Sequence, residues 1–254
     1  MIRAMSTPPL ARRLFAEMLG SAFLAALVIG SGIAAQTLSP HDVGLELFEN
    51  AAATAAGLYT LILMFGPVSG GHFNPVVSIA DASLGGLCWR DAFAYIPAQA
   101  AGCVLGAITA NGMFGLVAVS IATHHRASSA HLLSEAIATA GLLLVIFSLT
   151  LNRRASTAPA AVGAYIGAAY FFTSSASFAN PAISVGRMLS NTFAGIAPAS
   201  VPGFVVAQLI GGGCGMLVLR VLYPDTSLTE ATEVVCGGVE ETPRDGVRPI
   251  RVSA

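Results

Sequence analysis

The sequence contains no lysine: its 12 basic residues are all arginine, set against 13 acids for a formal net charge of −1. A chain with so little positive charge offers neither a nucleic-acid-binding patch nor a polybasic segment for an anionic membrane surface. Charged residues make up only 10 % of the whole and there is a single tryptophan, too little charge to clothe a soluble domain of this length. The four cysteines, Cys88, Cys103, Cys214 and Cys236, show no CxxC spacing. Cys103 and Cys214 fall within apolar, glycine-bearing runs and read as small packing residues. No stretch resembles a phosphate-cradling glycine loop, a nucleophile elbow or a metalloprotease helix, and His124-His125 has no third ligand nearby, so no enzyme activity, metal or cofactor is expected.

What the chain has in abundance is apolar surface. Hydrophobic residues make up 55 % of it and the mean hydropathy is +0.75, values of a single multi-span membrane domain. Six apolar segments, at 14–35, 47–66, 90–113, 131–151, 157–175 and 201–222, approach the roughly 20 residues that a helix needs to cross a hydrocarbon core. The first follows Arg12 and Arg13 like a secretory signal. It carries Glu17, however, and its pattern recurs around Glu135, which marks it as a retained span.

Two shorter stretches, 69–85 and 175–190, follow the second and fifth spans. They read Ser-Gly-Gly-His-Phe-Asn-Pro-Val-Val-Ser and Ser-Ala-Ser-Phe-Ala-Asn-Pro-Ala-Ile-Ser, with Asn74 and Asn180 in register. Asparagine is a favoured helix N-cap and proline fits the first helical position, so Asn74-Pro75 and Asn180-Pro181 each predict the start of a short helix. Neither is long enough to span. Both are expected to be re-entrant half-helices, a broken backbone that is tolerated only when buried in protein or lining an aqueous cavity. With the side-chain oxygen used as the cap, both amide NH2 groups are expected to stay free to donate to a polar, uncharged ligand, while two apposed helix N-termini would repel cations.

The duplication extends further. Glu17 and its neighbours match those of Glu135, and Ala98-Gln99-Ala-Ala-Gly102 matches Ala207-Gln208-Leu-Ile-Gly211. Three spans and a half-helix repeated once place the second copy upside down relative to the first. Repeat one covers about 14–113 and repeat two about 131–223. Residues 1–13 form an N-terminal segment and 224–254 a polar, acid-bearing tail whose composition predicts disorder. Ten arginines (Arg3, Arg12, Arg13, Arg90, Arg153, Arg154, Arg220, Arg244, Arg248 and Arg251) fall on one side, against Arg126 and Arg187 on the other. The positive-inside rule then puts both termini in the cytoplasm. Gly102 with Gly106 and Gly211 with Gly215 predict close helix contacts.

These marks together resemble the major intrinsic protein, or aquaporin, family from about Leu14 to Tyr223. The resemblance implies an all-α membrane protein with an inverted repeat of six transmembrane helices plus two re-entrant half-helices, a homotetramer in the bilayer with one pore per protomer, and Asn74 and Asn180 as central donors. The chain departs from the family at the position after the second Asn-Pro-Ala, where the hallmark arginine is replaced by Ile183. Offsets from the two asparagines give Thr54, Ala168 and Ser177 as the other residues of the outer constriction, a ring without arginine, histidine or aromatic group and therefore wide. This pattern is similar to the bacterial aquaglyceroporin branch associated with arsenical resistance. It implies passive conduction of small neutral solutes in the bacterial inner membrane, namely arsenite or related metalloid hydroxides, glycerol and water.

Arg187 lies one turn beyond Ile183, about 6 Å further along the helix. It either draws polar or anionic species into the outer mouth, or caps a loop carbonyl, or pairs with Glu46 or Glu49; Asp81 holds the mirror position at the inner mouth. Intramembrane acids such as Glu17 and Glu135 could be proton relays of a coupled transporter. The need to satisfy the re-entrant backbone favours a bracing role for them, and His72 reads as a further brace. A third reading is a structural membrane protein with little transport.

Overall fold

The computed structural model describes residues 8–224. Arg3, Arg244, Arg248, Arg251, Cys236 and the predicted tail from 225 onward lie outside the described residues. Among the described residues all regular structure is helical: α1 (Leu10–Leu38), α2 (Val43–Ser69), α3 (Pro75–Ser83), α4 (Trp89–Met113), α5 (Ser129–Leu151), α6 (Ala158–Phe172), α7 (Pro181–Arg187) and α8 (Val201–Leu222).

The two predicted half-helices are α3 and α7. Each starts as the residues dictate: the Oδ1 of Asn74 accepts from the backbone N–H of Val76 at 3.0 Å, and that of Asn180 from Ala182 at 2.9 Å and Ile183 at 3.2 Å, with proline next in the chain. Five helices, α1, α2, α4, α5 and the segment Pro198–Leu222 that includes α8, are long and apolar enough to cross a membrane. The sixth expected span differs. In place of 157–175 the chain forms α6, only 15 residues long, preceded by a 3₁₀ turn at Ala155–Thr157. Its counterpart α2 has 27 residues. The difference lies at the start, where Asn152, Arg153 and Arg154 form the turn after α5 and Pro159 stands in the first turn of α6.

The repeat is visible in how the long helices touch. A Cβ at Gly102 or Gly106 of α4 would sit 2.1 or 2.2 Å from the carbonyl oxygens of Met18 and Ala22 on α1. At Gly211 and Gly215 of α8 it would sit 2.2 and 2.8 Å from those of Ala136 and Ala140 on α5. Backbone therefore lies directly on backbone in both pairs, the geometry that small residues permit between membrane helices. The buried pair Arg13 Nη2 and Asp91 Oδ2, 2.5 Å apart, ties the start of α1 to the start of α4. The α1–α4 and α5–α8 pairs flank a core in which Phe73, Val76, Leu143, Phe178, Ile183 and Phe204 are buried.

Gly106→Ala is expected to force α1 and α4 apart and to lower stability by about 3 kcal/mol. Gly112→Ala, on the same helix with nothing within 4 Å of the added carbon, should change it by no more than about 0.5 kcal/mol. Thermal unfolding of the two purified variants in detergent checks the contrast.

Candidate functional site

The site is built on two buried carboxylates. Glu17 Oε1 accepts from Ser69 Oγ (2.6 Å) and the His72 N–H (3.0 Å), and its Oε2 from the Phe73 N–H (2.7 Å) and Gln99 Nε2 (2.8 Å). Glu135 repeats the pattern. Its Oε1 accepts from Ser175 Oγ (2.6 Å) and the Phe178 N–H (2.9 Å), and its Oε2 from the Ala179 N–H (2.8 Å) and Gln208 Nε2 (2.6 Å). Both side chains are wholly buried. Each takes four donors, which compensates burial of the charge.

These bonds hold loops that would not persist alone. Gly70, Gly71 and Phe73 have positive φ, and so do Ala176, Ser177 and Ala179 at the equivalent positions of the second copy. Left-handed backbone is costly for the non-glycine residues, and the carboxylate bonds offset that cost. Gln99 and Gln208 also donate to Ser78 and Ser184 Oγ at 3.0 and 3.2 Å, fixing the half-helices to α4 and α8.

The braced loops bring the two asparagines together. Asn74 Nδ2 donates to the carbonyl of Ala179 at 2.7 Å, and Asn180 Nδ2 to that of Phe73 at 2.8 Å. The expectation that both NH2 groups stay free is thus corrected: each spends one N–H on the opposite loop and retains one. The half-helices diverge from this junction, carrying Asp81 to one end and Arg187 to the other.

Along the junction runs a cavity of about 540 Å³, lined by Asn74, Asn180, Leu24, Val28, Leu58 and Ile146 among others, and mostly apolar. At the Asp81 end, His72 places Nε2 at 3.5 Å from Asp81 and Nδ1 at 3.1 Å from Ser78 Oγ. His72 lines the cavity as well as belonging to the braced loop. At the other end lie Thr54, Ser177, Ile183 and Arg187.

Ala168 does not join them. It is exposed on the outer side of α6, and Ile166 and Tyr170 line the cavity from that helix. At 3.6 residues per turn, Ala168 points about 200° away from both. Tyr170 is the residue that offset counting missed, and its hydroxyl lies 3.2 Å from Thr54 Oγ1. Tyr170 thus brings to this end an aromatic group that the offsets did not place there, while Arg187, expected at the outer mouth one turn beyond Ile183, lines the same end.

Arg187 is 2 % exposed. Its Nε donates to the carbonyl of Ala194, and its guanidinium carbon sits 3.4 Å from the centroid of the Phe178 ring. Of the alternatives for this residue, carbonyl capping is observed, and no pairing with Glu46 or Glu49 occurs within 4 Å. Arg126, between α4 and α5, donates to the carbonyls of Gly195 and Phe193 and lies 5.7 Å from the same ring. Burial holds its guanidinium below the ordinary value, against the opposing influence of Glu135 and Tyr170. His124 and His125 are exposed, and no cluster of three or more possible metal ligands occurs among the described residues.

A membrane-crossing helical fold with two capped half-helices meeting in one cavity defines a channel of the aquaporin type. Residues 4–179 match the family model described as major intrinsic protein, and the chain belongs to that family and shares its passive channel function. It is 45 % identical over 212 residues to aquaglyceroporin AqpS of Rhizobium meliloti (strain 1021), covering 83 % of this chain and 90 % of that protein. Aquaporin NIP1-2 of Arabidopsis thaliana is 30 % identical, over 94 % of this chain and 83 % of its own. In fold, the chain is similar to the X-ray structure of the aquaglyceroporin from Plasmodium falciparum, with a TM-score of 0.67 at 20 % identity, over 85 % of this chain and 98 % of that one.

Glu135→Gln would replace one acceptor oxygen by an NH2 group facing existing donors, and should lower stability by about 2–4 kcal/mol. Thermal unfolding of the purified variant against wild type measures the loss.

Proposed function

We propose that the chain is a passive, bidirectional channel of the bacterial inner membrane, assembled as a homotetramer with both termini in the cytoplasm. It conducts small neutral polyhydroxylated solutes, with arsenite or related metalloid hydroxides, glycerol and water as the conducted set. The observation that carries this reading is the pair of asparagine N–H groups left over in a mostly apolar cavity. A solute with oxygen acceptors meets two fixed donors there, and its carbon or metalloid centre passes apolar walls. Arsenous acid presents three hydroxyls, as glycerol does, so the same donors suit both. The similarity to a bacterial protein named an aquaglyceroporin supports the larger solutes.

Thr54, Tyr170, Ser177 and Ile183, with Arg187 beside them, form the constriction in this reading, and Pro75 and Pro181 set the half-helix starts. Glu17, Glu135 and His72 act as braces. The bonding of the two glutamates supports this role over proton relay, because all four of their oxygens already receive two donors each. A relay carboxylate must exchange those partners for a proton, which would release the loop it holds.

Ile183→Arg tests the constriction. A second guanidinium one turn from Arg187 would crowd this end and should raise the barrier to glycerol and arsenite by about 1.4 kcal/mol or more, a tenfold loss of flux. Water should fall less. Stopped-flow permeability of reconstituted vesicles to all three, normalised to inserted protein, gives the result. Equal proportional losses would mark a damaged fold, and unchanged flux of the larger solutes would remove Ile183 from the constriction.

A further inference from the structure

The positions of the two half-helix ends are equivalent by the repeat, but their chemistry is not. At one end His72 faces Asp81. At the other, the equivalent pair is Phe178 and Arg187, ring against guanidinium. The acid of the first pair has an imidazole beside it, whereas the cation of the second has an aromatic ring and, among the described residues, no acid within 4 Å.

Arg187 is nearly fully buried, and one of its three nitrogens, Nε, is satisfied by Ala194. Among the described residues no hydrogen bond is made by Nη1 or Nη2, and no carboxylate lies within 4 Å. The neighbouring charged group across Phe178 is another cation, Arg126, whose side-chain hydrogen bonds go to carbonyls. The one buried acid of this half, Glu135, has its four acceptor positions filled. A buried guanidinium whose Nη groups lack acceptors is costly. Its side chain lines the cavity, as do the hydroxyl-bearing residues Tyr170, Thr54 and Ser177, and Ser177 Oγ is buried without a hydrogen-bond partner.

We propose that the Arg187 end of the cavity is a binding site for a small tetrahedral oxyanion, which is held on the free Nη fork beside Tyr170, Thr54 and Ser177 and blocks the passage of neutral solutes. The two Nη groups of a guanidinium match a pair of oxygens on such an anion. The hydroxyls supply further contacts. Onward passage is opposed by Asp81, which lines the far end of the same cavity, so the bound anion acts as a plug and not as cargo. The blocking half of this proposal rests on the channel reading above, and the binding half does not.

The probe is inorganic phosphate, compared with gluconate at equal ionic strength. Phosphate should raise the thermal unfolding temperature of detergent-solubilised wild type beyond gluconate, as a ligand of the folded state does. It should also reduce glycerol permeability of reconstituted vesicles saturably over the same concentration range when present on both sides. Arg187→Gln should require about tenfold or more phosphate for either effect, since a charge-assisted hydrogen-bonded pair is lost. Thr54→Val and Tyr170→Phe should shift both titrations in the same direction by less, and they carry the test if Arg187→Gln fails to fold. No phosphate-specific stabilisation of wild type, or an identical response in the variants, would overturn the site. Stabilisation with undiminished glycerol flux would overturn the block alone. Stabilisation of a protein that conducts no glycerol at all would leave the site standing and retire the channel reading.

Discussion

The whole arrangement depends on one interaction made twice: a buried carboxylate that accepts four hydrogen bonds from an irregular loop and a glutamine. Without Glu17 and Glu135 the backbone N–H groups of His72, Phe73, Phe178 and Ala179 would lack their observed partners, and residues with left-handed backbone would have little to hold them. With them, each loop delivers an asparagine to the cavity in a fixed pose. Each asparagine then donates to the carbonyl just before the other. The two half-helices are therefore locked by reciprocal bonds, and each asparagine keeps one N–H beyond those the lock uses.

The same repeat that makes the braces equivalent leaves the ends free to diverge. Backbone positions, caps, glutamine contacts and the glycine seats on neighbouring helices recur in both copies, because each satisfies a requirement of burying a broken helix. The residues at the ends of the half-helices meet no such requirement. Histidine with aspartate at one end and phenylalanine with arginine at the other give the cavity an acid and a cation on opposite sides of a central donor pair. Chemical selection can thus be altered at either end without disturbing the scaffold between them.

The scaffold was legible in the sequence because its requirements are local or periodic. Asn-Pro marks a helix start wherever it occurs, a glutamate in an apolar run demands donors, and glycines four apart mark a close helix contact. The Arg187 end of the cavity was less legible. Counting offsets from the asparagines selected Ala168, whereas rotation about α6 turns Ile166 and Tyr170 inward and Ala168 outward. The short start of α6 likewise depends on how the turn after α5 folds. The setting of Arg187 was hidden for a different reason: its partners, the Phe178 ring and the Ala194 carbonyl, come from loops whose approach no spacing reveals. That each asparagine keeps one N–H and not two also required the opposite loop to be seen in place.

The central claim is that neutral solutes pass over the two remaining asparagine donors. Asn180→Asp tests it most directly, because aspartate keeps the cap oxygen, and with it the start of α7, while removing the NH2 group. Glycerol and arsenite permeability of vesicles should be measured for wild type and variant at equal insertion, each with and without an imposed proton gradient. The account predicts wild-type flux that ignores the gradient and a variant that has lost nearly all of it while remaining folded. Undiminished flux in folded Asn180→Asp protein, or wild-type flux that requires the gradient, would contradict it.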